Sequence, residues 1–282
     1  MAFDTRAVGV FDSGLGGLTS VREIERTMPH ENLVYFGDTG RVPYGTRSPE
    51  TILKYAFDDL HFLESRNVKA VLIACGTVSS IALGTLAEST DLPIVGVVRP
   101  ASEKAATLAF SDKVCGGKAG RIAVLGTPAT AKNGAYEREI RAVAPQAQVL
   151  PVACPLFVPL VENGYVEKDD PLTLLAAKEY VGNLKEFQPS CLILGCTHYP
   201  LIRETIESAC EKVLGYVPLT VDAGASAVAT LGELLEKQGL CAPPEQKGKA
   251  AFFVSDETHN FGKTASAFLG RTIEDVTRVD VG

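Results

Sequence analysis

Two short segments of this chain end an apolar run in a cysteine and place a threonine within two residues of it. They read Ala70-Val71-Leu72-Ile73-Ala74-Cys75-Gly76-Thr77 and Cys191-Leu192-Ile193-Leu194-Gly195-Cys196-Thr197-His198. A cysteine at the lip of a strand, with a helix opening just after it, is well placed for chemistry. Backbone N–H groups at a helix start favour negative charge, so they lower a thiol's pKa and make it a usable base or nucleophile. One such site suggests a nucleophilic enzyme. Two, in equivalent places in two halves of a chain, suggest two bases acting on one substrate.

A lone strand-end cysteine is more often a small buried hydrophobe than a catalyst. The second copy and the adjacent His198 reverse that weighting. A Cys-His hydrolase needs one cysteine and an oxyanion hole, so the duplication is better explained by symmetrical proton transfer. One thiolate takes the α-proton from one face of an amino acid while the other thiol delivers a proton to the opposite face. Such a carbanion needs polar groups fixed around the carboxylate, tuning groups beside each thiol, and exclusion of water. Asp12, near Cys75 in a parallel sheet, and His198, beside Cys196, are the natural tuning groups.

Other chemistries fit less well. Gly14-Leu15-Gly16-Gly17 tempts a dinucleotide reading, but Thr19 stands where the third glycine belongs. Gly262-Lys263-Thr264 resembles the end of a P-loop, yet Glu257 occupies the required earlier glycine. Cys191, Cys196 and His198 match no common zinc spacing, and Cys191 belongs in mid-strand, so no metal is expected. Cys210 falls in a helical pattern as packing. His30, His61 and His259 are isolated among polar neighbours and read as surface residues. No lysine stands in a motif for a pyridoxal Schiff base, so no cofactor is expected.

The elements that must position these residues follow from apolar patterning over 282 residues. Apolar β-rich runs near 7–11, 33–37, 68–75, 93–98, 121–126, 148–152, 190–195, 217–221 and 250–254 alternate with helical stretches. Near-continuous runs imply strands buried on both faces, hence a largely parallel α/β sheet flanked by helices. Ser48-Pro49, Thr127-Pro128 and Asp170-Pro171 each set an N-cap residue before a proline at the first helical position. Ligands of such sheets bind at the carboxyl ends of strands. There the chain reads Asp12-Ser13-Gly14, Asp38-Thr39, Cys75-Gly76-Thr77, Thr127-Pro128 and Cys196-Thr197-His198, small and hydroxylated segments suited to holding a carboxylate or phosphate. The stretch Val8–Gly14 is loosely echoed by Ile122–Pro128, which suggests two similar halves with the site between them. The stretch 241–249 reads as a surface loop.

Composition excludes other classes. The hydrophobic share of 46% and charged share of 22% are those of a globular protein. A net charge of −7 argues against a nucleic-acid partner. No apolar stretch is long enough for a transmembrane helix, and the start of the chain lacks a signal-peptide pattern, so a cytoplasmic protein without membrane partners is expected. Seven scattered cysteines, Cys115 among them, are odd in number and argue against a disulfide framework.

At these motifs the chain resembles the cofactor-independent glutamate racemases of the aspartate/glutamate racemase superfamily, nearly end to end. Phe11-Asp12-Ser13-Gly14-Leu15-Gly16-Gly17 is similar to the family's first loop, and Asp38-Thr39-Gly40-Arg41-Val42-Pro43-Tyr44-Gly45 to its second. The segments Ala153–Gly164 and Gly195–Leu201 are similar to two further signatures. The resemblance implies that Cys75 deprotonates D-glutamate and Cys196 L-glutamate, assisted by Asp12, Glu162 and His198. It implies that Asp12, Ser13, Pro43, Tyr44, Gly45, Gly76, Thr77, Thr127, Thr197 and His198 hold the substrate. It implies two α/β domains, 1–98 with 212–282 and 99–211, with the active site in the cleft between them, and a homodimer that supplies D-glutamate for peptidoglycan. One residue departs from the pattern: the family reads Cys-Asn-Thr at the first cysteine, and this chain reads Cys75-Gly76-Thr77.

Overall fold

A computed structural model describes residues 3–114, 116–256, 261–273 and 275–281, with the side chains of Phe261 and Lys263 left out; Cys115, Glu257 and His259 lie outside the described residues. The chain divides into two compact units, Met1–Val97 with Ala227–Gly282, and Val98–Ser226. Its strands, in chain order, are β1 (Val8–Asp12), β2 (Leu33–Gly37), β3 (Ala70–Ile73), β4 (Ile94–Gly96), β5 (Lys118–Gly126), β6 (Gln148–Ala153), β7 (Pro189–Leu194), β8 (Leu219–Asp222), β9 (Ala250–Val254) and β10 (Val276–Arg278). Every pairing between them is parallel.

The first unit holds a six-stranded sheet in the order β10-β9-β2-β1-β3-β4. All residues of β1, β2 and β3 are buried, as helices on both faces of a parallel sheet require. The second unit holds a four-stranded sheet ordered β6-β5-β7-β8, with β7 buried throughout and β6 half-exposed at an edge. The order β2-β1-β3-β4 of the first unit is repeated by β6-β5-β7-β8 of the second. In each unit the strand order reverses, between β1 and β3 and again between β5 and β7. Crevices at such reversal points are where α/β sheets bind ligands.

Three helix starts read from Ser/Thr/Asp-Pro pairs form with their caps. Ser48 accepts from the Thr51 N–H at 3.3 Å, Thr127 from the Thr130 N–H at 3.3 Å, and Asp170 from the N–H groups of Leu172 and Thr173 at 3.0 and 3.2 Å. The return to the first unit, expected near residue 212, lies beyond β8 because β8 pairs with β7 and so stays with the second sheet. Two stretches of strand escaped the apolar pattern. Lys118, Ala119 and Gly120 extend β5 ahead of its apolar run, and β10 is a short edge strand with Thr277 and Arg278 exposed. Edge strands carry no apolar run because only one flank is covered. Among the described residues, no helix is long and apolar enough to cross a membrane.

Because its carboxylate serves two backbone donors, replacing Asp170 should weaken the helix Pro171–Gly182. Asp170→Ala is expected to lower unfolding free energy by about 1 kcal/mol, read from the midpoint of urea unfolding.

Candidate active site

In the first unit the ladder pairs Phe11 with Ile73, and the Ala74 N–H extends it to the Phe11 carbonyl at 3.0 Å. The next residues along each strand are Asp12 and, one further, Cys75, both buried at 1% and 5% exposure. Asp12 is held by the glycine loop that follows it: its Oδ2 accepts from the N–H groups of Gly14 at 3.2 Å and Gly17 at 3.1 Å. A Cβ on Gly17 would stand 2.6 Å from the Asp12 Cβ, so only glycine lets the loop close over the carboxylate. The glycine amides are thus spent on an internal carboxylate, which accounts physically for the failure of the dinucleotide pattern.

Cys75 is the N-cap of the helix Gly76–Ile81, as its strand-end position requires. Its Sγ lies 3.4 Å from the Ser13 Oγ. The expectation of a lowered thiol pKa does not hold in this state. Burial and the Asp12 charge push the Cys75 thiol up to about 12, outweighing hydrogen bonds from Ser13 and the backbone of Val78 and Ser13 that favour the thiolate. Cys75 therefore rests as a thiol. Gly76 and Thr77 follow it, both buried.

The Pro43-Tyr44-Gly45 segment comes after β2, beyond a cis Val42–Pro43 bond. The short 3-10 helix Tyr44–Thr46 packs against the helix that Cys75 caps. Tyr44 is 1% exposed and shares one apolar cluster with Cys75 and Val78. Its hydroxyl donates to Asp38 and lies 3.3 Å from an Asp59 oxygen. Tyr44 is thus an anchor whose hydroxyl is committed inside the protein, while Pro43 is exposed and Gly45 half-buried. Arg41 ties the anchor down, donating to Asp38 at 2.5 Å, Asp58 at 2.6 Å and Asp59 at 3.1 Å. Asp59 is fully buried, and that burial together with the Asp38 charge raises its pKa well above the usual carboxylate range despite Arg41. Sequence reading assigned no role to Asp58 or Asp59. The signal was present, since Asp59 falls in line with the buried Ile52, Ala56, Leu60 and Leu63 of one helix face.

In the second unit Cys196 follows β7 and Gly195, half-buried. Here no α-helix opens at the cysteine: a turn leads into a 3-10 helix, Tyr199–Ile202, and only then into the helix Arg203–Leu214. Pro200 lacks the N–H that a regular helix would need there. An imidazole stands by instead. His198 Nδ1 lies 3.8 Å from the Cys196 sulfur and 3.3 Å from the Thr197 Oγ1, and Nε2 lies 3.1 Å from a Glu162 oxygen. Burial opposes a charge on this ring, but its hydrogen bonds and proximity to Cys196 and Glu162 raise its pKa to about 10. Thr127 sits at the end of β5 as a helix cap, its Oγ1 3.1 Å from that of Thr130. Cys191 and Cys210 are fully buried with thiols pushed up to about 12 by that burial, as packing residues should be. His30 and His61 are exposed.

Each unit thus presents a cysteine at its strand-order reversal point, Cys75 beside a carboxylate and Cys196 beside an imidazole backed by a carboxylate. Residues 18–231 match the family model described as Asp/Glu/Hydantoin racemase. A protein of Geobacter metallireducens named glutamate racemase is 38% identical over 276 residues, covering 98% of this chain and 97% of its own. The crystal structure of glutamate racemase from Francisella tularensis in complex with D-glutamate superposes with a TM-score of 0.87 at 33% identity, covering 98% of both chains. That of a glutamate racemase isoform from Bacillus anthracis gives 0.88 at 32% identity, covering 98% of this chain and 97% of that one.

The protonation of Asp59 sets a pH dependence of stability. A carboxyl whose pKa is raised by folding holds its proton when the unfolded chain has released it, so its contribution is complete below the unfolded pKa near 4 and diminishes as pH rises. Asp59→Asn keeps the neutral form at all pH values. In urea unfolding, the variant should match the parent near pH 4 and gain on it by about pH 8; a variant that loses ground with rising pH would mean that Asp59 is ionised in the fold.

Proposed function

The chain belongs to the Asp/Glu/Hydantoin racemase family, and we infer that it interconverts L- and D-glutamate by moving the α-proton between two thiols, those of Cys75 and Cys196. The observation that carries this reading is the pair of cysteines at equivalent strand ends, each with an ionisable partner, in a chain similar over its full length to glutamate racemases. Cys75 serves D-glutamate and Cys196 L-glutamate. Both thiols must then reach one α-carbon from opposite faces.

Each thiol must first lose its proton, and the two surroundings favour different routes. Beside Cys75 the obstacle is burial next to the Asp12 charge. A substrate α-ammonium bound against Asp12 would offset that charge and lower the thiol's pKa toward the working range. Beside Cys196 the protonated His198 stabilises a thiolate directly, and Glu162 holds the ring in place. Removing the α-proton leaves a carbanion next to a carboxylate. The N–H groups at the start of Gly76–Ile81 and the hydroxyls of Ser13, Thr77, Thr127 and Thr197 are the donors proposed to hold the substrate's charged groups. No electron sink is required in this scheme, so no cofactor takes part. We place the enzyme in the cytoplasm as a homodimer that supplies D-glutamate for peptidoglycan.

Single-cysteine variants separate this mechanism from its rivals. With one base left, the enzyme can still exchange the α-hydrogen of one enantiomer with solvent but cannot invert it. Cys75→Ala is expected to exchange only L-glutamate in D2O and Cys196→Ala only D-glutamate, followed by NMR, each with racemisation lowered at least about 100-fold. Loss of activity on changing one cysteine alone would instead indicate a Cys-His hydrolase. Faster turnover of L-aspartate than of L-glutamate by the parent would reject the substrate.

Gly76 offers the substrate only its backbone, where the family pattern carries an asparagine amide. Gly76→Asn is expected to raise kcat/KM by about tenfold, the worth of one hydrogen bond to a charged group. Unchanged steady-state constants would remove position 76 from substrate binding.

A further inference from the structure

Tyr136 lies in the first turn of the helix Ala135–Val143 and is 3% exposed. Its hydroxyl is buried without a hydrogen-bond partner among the described residues, a costly state for a group that both donates and accepts. The ring stands against the end of β7. A Cβ on Gly195 would meet the Leu125 carbonyl oxygen at 2.8 Å and the Tyr136 Cε2 and hydroxyl oxygen at 3.3 Å each. Glycine at 195 therefore admits the hydroxyl to the backbone immediately ahead of Cys196. The nearby Leu125 carbonyl is already occupied by the Gly195 N–H at 2.8 Å. The buried Tyr199 nearby spends its hydroxyl on the Cys154 carbonyl at 3.2 Å.

We propose that Tyr136 is a positioning residue for Cys196: its hydroxyl donates a hydrogen bond to the Cys196 sulfur when that sulfur is a thiolate, and holds it at the end of β7 in the orientation that exchanges the α-proton. The proposal rests on the two-thiol reading above. A neutral thiol is a weak acceptor and a thiolate a strong one, so the hydroxyl gains its partner only in the charged state. The phenol stays a donor throughout, because burial and the charges of Cys196 and Asp222 push its own pKa up. The other groups facing the sulfur or the phenol are His198 with Glu162 behind it, Cys154, Tyr199 and, on β8, Asp222. Of these only His198 offers the sulfur a second donor.

The test is Tyr136→Phe, which keeps the ring and removes a hydroxyl without a partner among the described residues, so the thermal midpoint should hold or rise. Alkylation of Cys196 by iodoacetamide, followed across pH by peptide mass spectrometry, reads the thiol without any turnover. Its midpoint should move up by about half to one pH unit, and kcat/KM should fall about tenfold. The equilibrium constant of a racemase is one, so kcat/KM must fall equally in both directions. Isotope effects nevertheless divide: that for α-deuterated L-glutamate should grow and that for the D-enantiomer shrink, as the Cys196 step becomes the slower one. An alkylation midpoint that stays put overturns the proposal and assigns the hydroxyl to another acceptor such as Asp222, and isotope effects that move together also overturn it. If the parent itself shows no racemisation, the two-thiol reading fails on its own account, while the alkylation profile still decides whether Tyr136 acts on Cys196.

Discussion

The pairing of β1 with β3 decides what the first unit can do. A parallel ladder leaves no freedom in which residues emerge together at its carboxyl end, and here it delivers Asp12 and Cys75 side by side. The glycine loop then has to fold back over Asp12, and close approach to its Cβ allows nothing larger than hydrogen at Gly17. Beneath, Tyr35 fixes the same loop by donating to the Gly14 carbonyl at 2.7 Å. The carboxylate is therefore immobilised by backbone amides, and an immobile charge in a buried place is an electrostatic instrument. It raises the thiol beside it in the resting state and is positioned to attract a cation.

Rigidity of the second loop has a separate origin. Three carboxylates, Asp38, Asp58 and Asp59, converge on Arg41, and Tyr44 lies between two of them. One guanidinium cannot neutralise three buried or half-buried anions, and at Asp59 burial and the neighbouring Asp38 charge together outweigh Arg41 and favour the protonated carboxyl. The network positions the Pro43-Tyr44-Gly45 turn against the helix that Cys75 caps and commits the Tyr44 hydroxyl inside the protein. What faces outward is Pro43 and the backbone of Gly45.

Much of this was legible from residue order, for reasons that also explain what was not. Doubly buried strands must be apolar along their length, so β1, β2, β3 and β7 could be read directly. Proline after a Ser, Thr or Asp fixes a helix start by local chemistry alone. Strand-end loops could be located because the sheet is parallel. Features that depend on distant partners left weaker traces. β10 is short and half-covered. Asp59 reads as one of two adjacent acids until its place on the buried helix face is noticed. The sign of the Cys75 shift turns on burial, which outweighs the amides at the helix start and appears in no motif.

The two units repeat one strand order yet place their charges differently. Asp12, one residue past Phe11 on β1, corresponds in register to Gly126, one past Leu125 on β5, so β5 of the second unit brings no carboxylate beside Cys196 as β1 does beside Cys75. Its carboxylate arrives from another element, the helix Phe157–Glu162 after β6, and acts through His198. At Cys75 the neighbouring anion raises the thiol's pKa, whereas at Cys196 the neighbouring group is an imidazole whose own pKa is raised. In the proposed two-thiol mechanism, bases serving mirror-image substrates need not be mirror images themselves. Microscopic reversibility requires each thiol to take the proton in one direction and return it in the other, and unequal surroundings can meet that requirement so long as each thiol is ionised in its turn.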